Sequence, residues 1–144
     1  MVRLVDVEAG IGTWELEVRD DQKSYVADPV VILAKAYIFR KFRTRAFWIY
    51  HEDGAVGMGL YFDCPEKECY DLSQFLIDKH FQGRGYGKEA LSLVLSELRQ
   101  DGKYTKVMLS YVEGNKTARK LFEQFGFAEV SREYDEISME MSLS

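Results

Sequence analysis

The chain has 144 residues, 47% of them apolar and 14% aromatic, and carries a net charge of −5. That length fits one domain, residues 1–144, with a sizeable core, and the apolar content excludes a disordered chain. The acidity disfavours a general nucleic-acid binder, which is usually basic, and no apolar run approaches the ~20 residues that span a bilayer.

Residues 2–8 alternate apolar and polar side chains and predict a strand, which Gly10 and Gly12 interrupt. The same opening lacks the apolar stretch of a signal peptide, so a cytoplasmic location is expected. Thr13 can cap a first helix through Trp14, Leu16 and Val18. A second helix starts at Asp28-Pro29, with Val30, Leu33, Ala34 and Tyr37 on one face. Arg40, Lys41, Arg43 and Arg45 then cluster, and a solvated loop is the ordinary reading. Residues 46–50 and 56–62 predict strands, joined by the turn signal Glu52-Asp53-Gly54. Cys64 and Cys69 flank Pro65-Glu66-Lys67-Glu68 with no histidine nearby, so reduced thiols are expected and no metal site. Residues 70–77 predict a strand, 87–99 a helix with Leu91, Val94, Leu95 and Leu98 inside, and 104–112 another strand. A helix capped by Asn115 follows, and residues 127–132 and 137–141 predict a closing antiparallel pair.

Between the strand ending Phe75-Leu76-Ile77 and the next helix lies Gln82-Gly83-Arg84-Gly85-Tyr86-Gly87. Glycine lets backbone come close to a ligand and tolerates positive φ. The helix it opens presents free N–H groups and a positive dipole end, a natural seat for phosphate. Arg84 and Lys88 add charge. A dinucleotide fingerprint needs G-x-G-x-x-G, and Lys88 stands at its third glycine. A P-loop needs Ser or Thr after Gly-Lys, and Glu89 follows Lys88. The pattern [RQ]-x-x-G-x-[GA] is met in full by Gln82, Gly85 and Gly87. Here the chain resembles the GNAT superfamily of acetyl-CoA-dependent N-acetyltransferases. About thirty residues on, Asn115-Lys116-Thr117-Ala118-Arg119-Lys120-Leu121-Phe122-Glu123-Gln124-Phe125-Gly126-Phe127 resembles the family's N-x-x-A-x-x-[LF]-[YF]-x-x-x-G-F. As helix alone, this segment has a good N-cap in Asn115, a terminating glycine in Gly126, and Ala118, Leu121, Phe122 and Phe125 on one face.

The resemblance covers residues 70–127. It implies an α/β single-domain fold: a mixed, mostly antiparallel twisted sheet, about four flanking helices, and a splay between the two central strands. It implies acetyl-CoA as co-substrate and direct attack by an amine in a ternary complex. Phe75, Leu76 and Ile77 would run beside the pantetheine like an added strand. Gly83, Arg84, Gly85, Tyr86, Gly87 and Lys88, with Gln82, would hold the pyrophosphate, and Asn115 would contact the pantetheine or its diphosphate end. In the family a tyrosine of the Asn helix commonly protonates the departing thiolate. Phe122 stands there and has no proton to give, so Tyr111 on the neighbouring strand is the substitute candidate. An alkyl amine has a pKa near ~10, so a base is needed. Asp71 and Glu113 are candidates, and surface charge is the ordinary reading of each.

Three pieces look like the bacterial spermine/spermidine acetyltransferase branch: Asp21-Gln22-Lys23-Ser24-Tyr25-Val26-Ala27, Phe75-Leu76-Ile77-Asp78-Lys79 with Gln82-Gly83-Arg84-Gly85-Tyr86-Gly87-Lys88, and Leu109-Ser110-Tyr111-Val112-Glu113-Gly114-Asn115. A polyamine would want several carboxylates, which Glu52, Asp53, Asp63, Glu66, Glu68 and Asp71 could supply. Rival expectations are another amine, such as a protein N-terminus or aminoglycoside, and a non-catalytic acyl-CoA-binding module. No nucleic-acid or membrane partner is expected. The sequence is silent on oligomeric state, although a homodimer is usual in such enzymes.

Overall fold

The computed structural model describes residues 1–7, 29–52 and 54–144. Its elements are β1 (Val2–Asp6), α1 (Pro29–Ile38), β2 (Arg45–His51), β3 (Gly54–Cys64), β4 (Cys69–Ile77), α2 (Tyr86–Asp101), β5 (Lys106–Val112), α3 (Lys116–Gln124), β6 (Ala128–Glu133) and β7 (Glu136–Ser142). The strands form one sheet in the order β1-β2-β3-β4-β5-β7-β6. Every neighbouring pair is antiparallel except β4 and β5. Three α-helices lie among the described residues. The helix expected after Thr13 falls outside them, as do Asp21 to Ala27 and Asp53.

The helices divide between the two faces of the sheet. On one face α2 buries Ala90, Leu91, Val94, Leu95 and Leu98 at helical spacing, and α3 adds Phe122. Fully burying one such aliphatic or aromatic side chain contributes roughly 1.5–3 kcal/mol. Gly102, at φ 71, ends α2 by donating its N–H to Leu98 O at 3.1 Å. On the other face α1 packs Ile32 against Trp48, Met58 and Leu60. The face of α1 that carries Val30 and Tyr37 is not the buried one: these are 56% and 67% exposed, and Pro29 and Ile32 are buried. The segment PVVILAKAYI is apolar almost all round, so periodicity could not choose a face.

Arg43 and Arg45 also depart from the solvated loop expected of them. Arg43 donates to Asp63 at 2.7 Å and to Asp101 at 2.8 Å. Lys103 reaches the same Asp63 at 3.1 Å, and Tyr70 Oη donates to Asp101 at 2.5 Å. Burial alone would raise the Asp63 carboxyl, yet Arg43 and Lys103 hold it below its ordinary value. Arg45 donates to Glu97 at 2.9 Å. These charges tie the C-terminal half of α2 to β2, β3 and the start of β4, where β4 and β5 meet.

Two glycines of β3 let the layers close. A Cβ at Gly59 would collide with the Phe47 ring and lie 3.0 Å from Gln74 O. Gly59→Ala is therefore expected to cost about 1–3 kcal/mol, the range for overpacking a filled core. A denaturant midpoint lowered at unchanged m-value would show it; an unchanged midpoint would contradict it.

Candidate active site

The site begins with a break in the sheet. β4 and β5 pair only at Tyr70↔Val107 and Asp71↔Met108, then diverge. Residues 72–77 therefore keep a β5-facing edge without a strand partner, a template for another extended chain. β4 also carries a bulge: Leu60 faces Gln74 but Tyr61 faces Leu72, so Ser73 is an extra residue. The extra residue reverses the side-chain alternation. Tyr70 and Leu72, then Phe75 and Ile77, pack with the α2–α3 side, and Leu76 packs with the α1 side. Asp71, out of phase with Tyr70 and Leu72, falls on the α1 side.

The glycine turn closes the wide end of this splay. Asp78, 3% exposed, accepts from His80 N at 2.9 Å and faces His80 Nδ1 at 2.8 Å. Gln82 Nε2 donates to Ile77 O at 2.9 Å, fixing the turn to the end of β4. Gly83 and Gly85 adopt φ of 79° and 83°, which side chains other than glycine rarely adopt, and a Cβ at either would meet nothing within 4 Å. Gly85 is the N-cap of α2 and gives no side-chain cap. The first N–H groups of α2 thus have no side-chain acceptor at the positive dipole end, which suits a phosphate. Tyr86 stacks on His51 with ring centroids 4.6 Å apart, and Arg84 lies over Phe81 at 5.6 Å.

A cavity of about 260 Å³ follows from this geometry. Of the predicted cofactor residues, Phe75, Leu76, Ile77, Gln82, Gly83, Gly85, Tyr86, Gly87, Lys88 and Asn115 line it. Arg84 does not line it and instead covers Phe81 at the rim of the turn. Asn115 caps α3, its Oδ1 accepting from Ala118 N at 3.2 Å. Sequence reasoning missed Phe81, Thr117 and the cavity-facing sides of Ala118 and Leu121; helix periodicity assigned the last two to the core alone.

A second cavity of about 320 Å³ lies in the splay and shares Phe75, Asn115, Ala118 and Phe122 with the first. Asp71, Tyr111, Lys35 and Glu136 line it. Asp71 corrects the expectation of surface charge. Burial pushes its carboxyl up to about 6, against the opposing pull of Lys67 and Lys35 and with a small push from Glu136. Tyr111 is 8% exposed and packs with the α3 face, its ring 6.5 Å from that of Phe122. Glu113 remains at the surface, paired with Arg132 at 2.6 Å. Of the expected acids among the described residues, Asp71 alone lines this cavity; Asp63 is engaged by Arg43 and Lys103. Lys35 and Glu136 were missed because nothing in the sequence links α1 or the start of β7 to β4. Among the described residues, no three His, Cys, Asp or Glu side chains are placed to hold a metal ion.

The arrangement places a carboxyl group with a near-neutral pKa and a phenol on opposite faces of one opening. An acyl group presented between β4 and β5 would have a proton acceptor on one side and a proton donor on the other.

Comparison with known proteins agrees with this geometry. The acetyltransferase (GNAT) family model matches residues 11–127. A probable spermine N(1)-acetyltransferase of Bacillus subtilis subsp. natto is 33% identical over 122 residues, 78% of this chain and 77% of that protein. The spermine/spermidine N(1)-acetyltransferase of Bacillus subtilis strain 168 is 31% identical over the same shares. Among solved structures, spermidine N-acetyltransferase from Vibrio cholerae, in complex with CoA and spermine, superposes with a TM-score of 0.79 at 18% identity, covering 99% of this chain and 95% of that one. A GNAT family acetyltransferase from Elizabethkingia anophelis with acetyl-CoA bound gives 0.71 at 14% identity, over 98% and 97%.

Proposed function

The chain belongs to the GNAT family of acetyltransferases, and from that premise we propose that it acetylates a primary amine of a polyamine such as spermidine or spermine, by direct attack in a ternary complex. It is an acyltransferase, and acetyl-CoA is its co-substrate. The observation that carries the reading is that Asp71 and Tyr111 line one cavity in the splay, which adjoins the cavity of the glycine turn. The names of the two Bacillus relatives support the substrate. No helix among the described residues is long and apolar enough to cross a membrane.

Acetyl-CoA supplies the activated thioester. The uncapped start of α2, with Gly83, Gly85, Tyr86, Gly87 and Lys88, holds its pyrophosphate, and Arg84 adds charge at the rim. The free edge of β4 at Phe75, Leu76 and Ile77 takes the extended pantetheine as a further strand, and Asn115 faces it from α3. An N–H of the bulged strand stabilises charge on the acetyl oxygen. Asp71, ionised above pH ~6, takes the proton of the attacking ammonium. Tyr111 gives a proton to the departing sulfur, the part Phe122 cannot play. A thiol with a pKa near ~8.5 leaves tolerably without help, so Tyr111→Phe should lower kcat by at most about 10²–10⁴-fold at unchanged acetyl-CoA affinity. Adding Phe122→Tyr should restore part of the rate. An unchanged kcat in Tyr111→Phe would remove Tyr111 from the mechanism.

One observation favours a smaller amine. Among the described residues, the second cavity is lined by two acids, Asp71 and Glu136, and a lysine, Lys35, so this part of it is less anionic than a polycation would prefer. Free-thiol release with acetyl-CoA decides between them, using spermidine, spermine, a monoamine, an aminoglycoside and a peptide. Saturation by spermidine or spermine alone supports the polyamine reading. Saturation by another amine overturns the substrate and keeps the reaction.

A further inference from the structure

Lys35 projects from α1 into the second cavity, the same space lined by Asp71, Phe75 and Phe122. It is half-buried and acts on Asp71 by charge alone. It is also the only basic residue among the described residues lining this cavity. A primary amine of the chain thus shares with the Asp71 carboxyl group the cavity proposed here for the acceptor amine. We propose that Lys35 accepts an acetyl group from acetyl-CoA when no amine substrate is present, so that the active site modifies itself. The inference rests on the acceptor cavity being the one lined by Asp71.

The chemistry needs nothing further. An ordinary lysine has a pKa near ~10.4, so its Nζ must lose a proton before attack, and Asp71, which lines the same cavity, is the carboxylate proposed to take it. The Nζ–C bond forms as the C–S bond breaks, and the sulfur leaves as CoA with a proton. No electron is gained or lost. The product amide stays in the chain, so the event occurs once per molecule. It removes the lysine charge and leaves Asp71 and Glu136 as the charged groups among the described residues lining the cavity. Self-acetylation would therefore make the acceptor cavity more anionic, better suited to a polycation.

The full chain should be incubated with acetyl-CoA and no amine, then measured by intact mass and peptide mapping. Lys35 is expected to gain one acetyl group faster than the exposed Lys103 and Lys116, by up to the ~10²–10⁴ that a positioned base contributes. Asp71→Asn should bring its rate down to theirs, Lys35→Arg should abolish the fast phase, and added spermidine should compete with it. Labelling of Lys35 no faster than at the exposed lysines, or unaffected by Asp71→Asn, would overturn the proposal. Thiol release with spermidine from the same preparation separates the two failures. Turnover without Lys35 labelling overturns self-acetylation alone, and absence of both overturns the acceptor site itself.

Discussion

Asp71→Asn is expected to lower kcat/KM for the amine by about 10²–10⁴-fold while acetyl-CoA still binds. Asparagine keeps the shape of the side chain but cannot take a proton. The pH dependence gives a second readout. Burial raises the folded value to about 6, and the base acts only when ionised. The wild-type rate should therefore climb with pH through a limb near 6, and the variant should lack that limb. Stability moves the other way. A carboxyl whose pKa is raised on folding binds its proton more tightly in the folded state. It therefore weakens the fold progressively as pH rises from its unfolded value, ~3.9, to about 6. At pH 7 Asp71→Asn should accordingly be more stable, by up to about 2–3 kcal/mol. A slower yet more stable variant is what a residue held for chemistry would give. A variant with normal rate would remove Asp71 as the base.

Gly87→Leu tests the other half of the site. A Cβ at Gly87 would make ordinary contacts of 3.5 Å with Ile77, 3.8 Å with Leu121 and 3.9 Å with Phe75. All three line the first cavity. A leucine there would extend into the cavity without forcing the protein apart, so the fold should survive. The same side chain would displace a ligand from the start of α2 and deny it that N–H. Losing one charge-assisted hydrogen bond costs about 1.5–3 kcal/mol, so acetyl-CoA affinity should fall at least about 10–100-fold. Calorimetric titration beside a thermal melt would separate the effects. Unchanged affinity in a folded variant would place the pyrophosphate elsewhere.

The sequence was most legible where local chemistry decides. Gln82 to Gly87 needed positive φ at Gly83 and Gly85, and both have it. Asn115 caps α3 as its type and position predicted, and Leu91, Val94, Leu95 and Leu98 face the core. The less legible features depend on long-range pairing. The bulge at Ser73 reverses the alternation of β4, so no single period-two reading could carry one face through from Tyr70 to Ile77. Lys35 and Glu136 reach the same cavity from α1 and β7, elements that only the folded sheet brings together. Arg43 looked like loop charge because its partners, Asp63 and Asp101, lie 20 and 58 residues away.

Initial rates with acetyl-CoA and spermidine both varied test the central claim most directly. Cavities that meet at Phe75, Asn115, Ala118 and Phe122 would let both substrates be present when the acetyl group moves. Reciprocal plots that intersect, with thiol release dependent on spermidine, are the predicted result. Parallel lines, the mark of an acetyl group first passed to the enzyme and then to the amine, would contradict direct transfer across the β4–β5 splay.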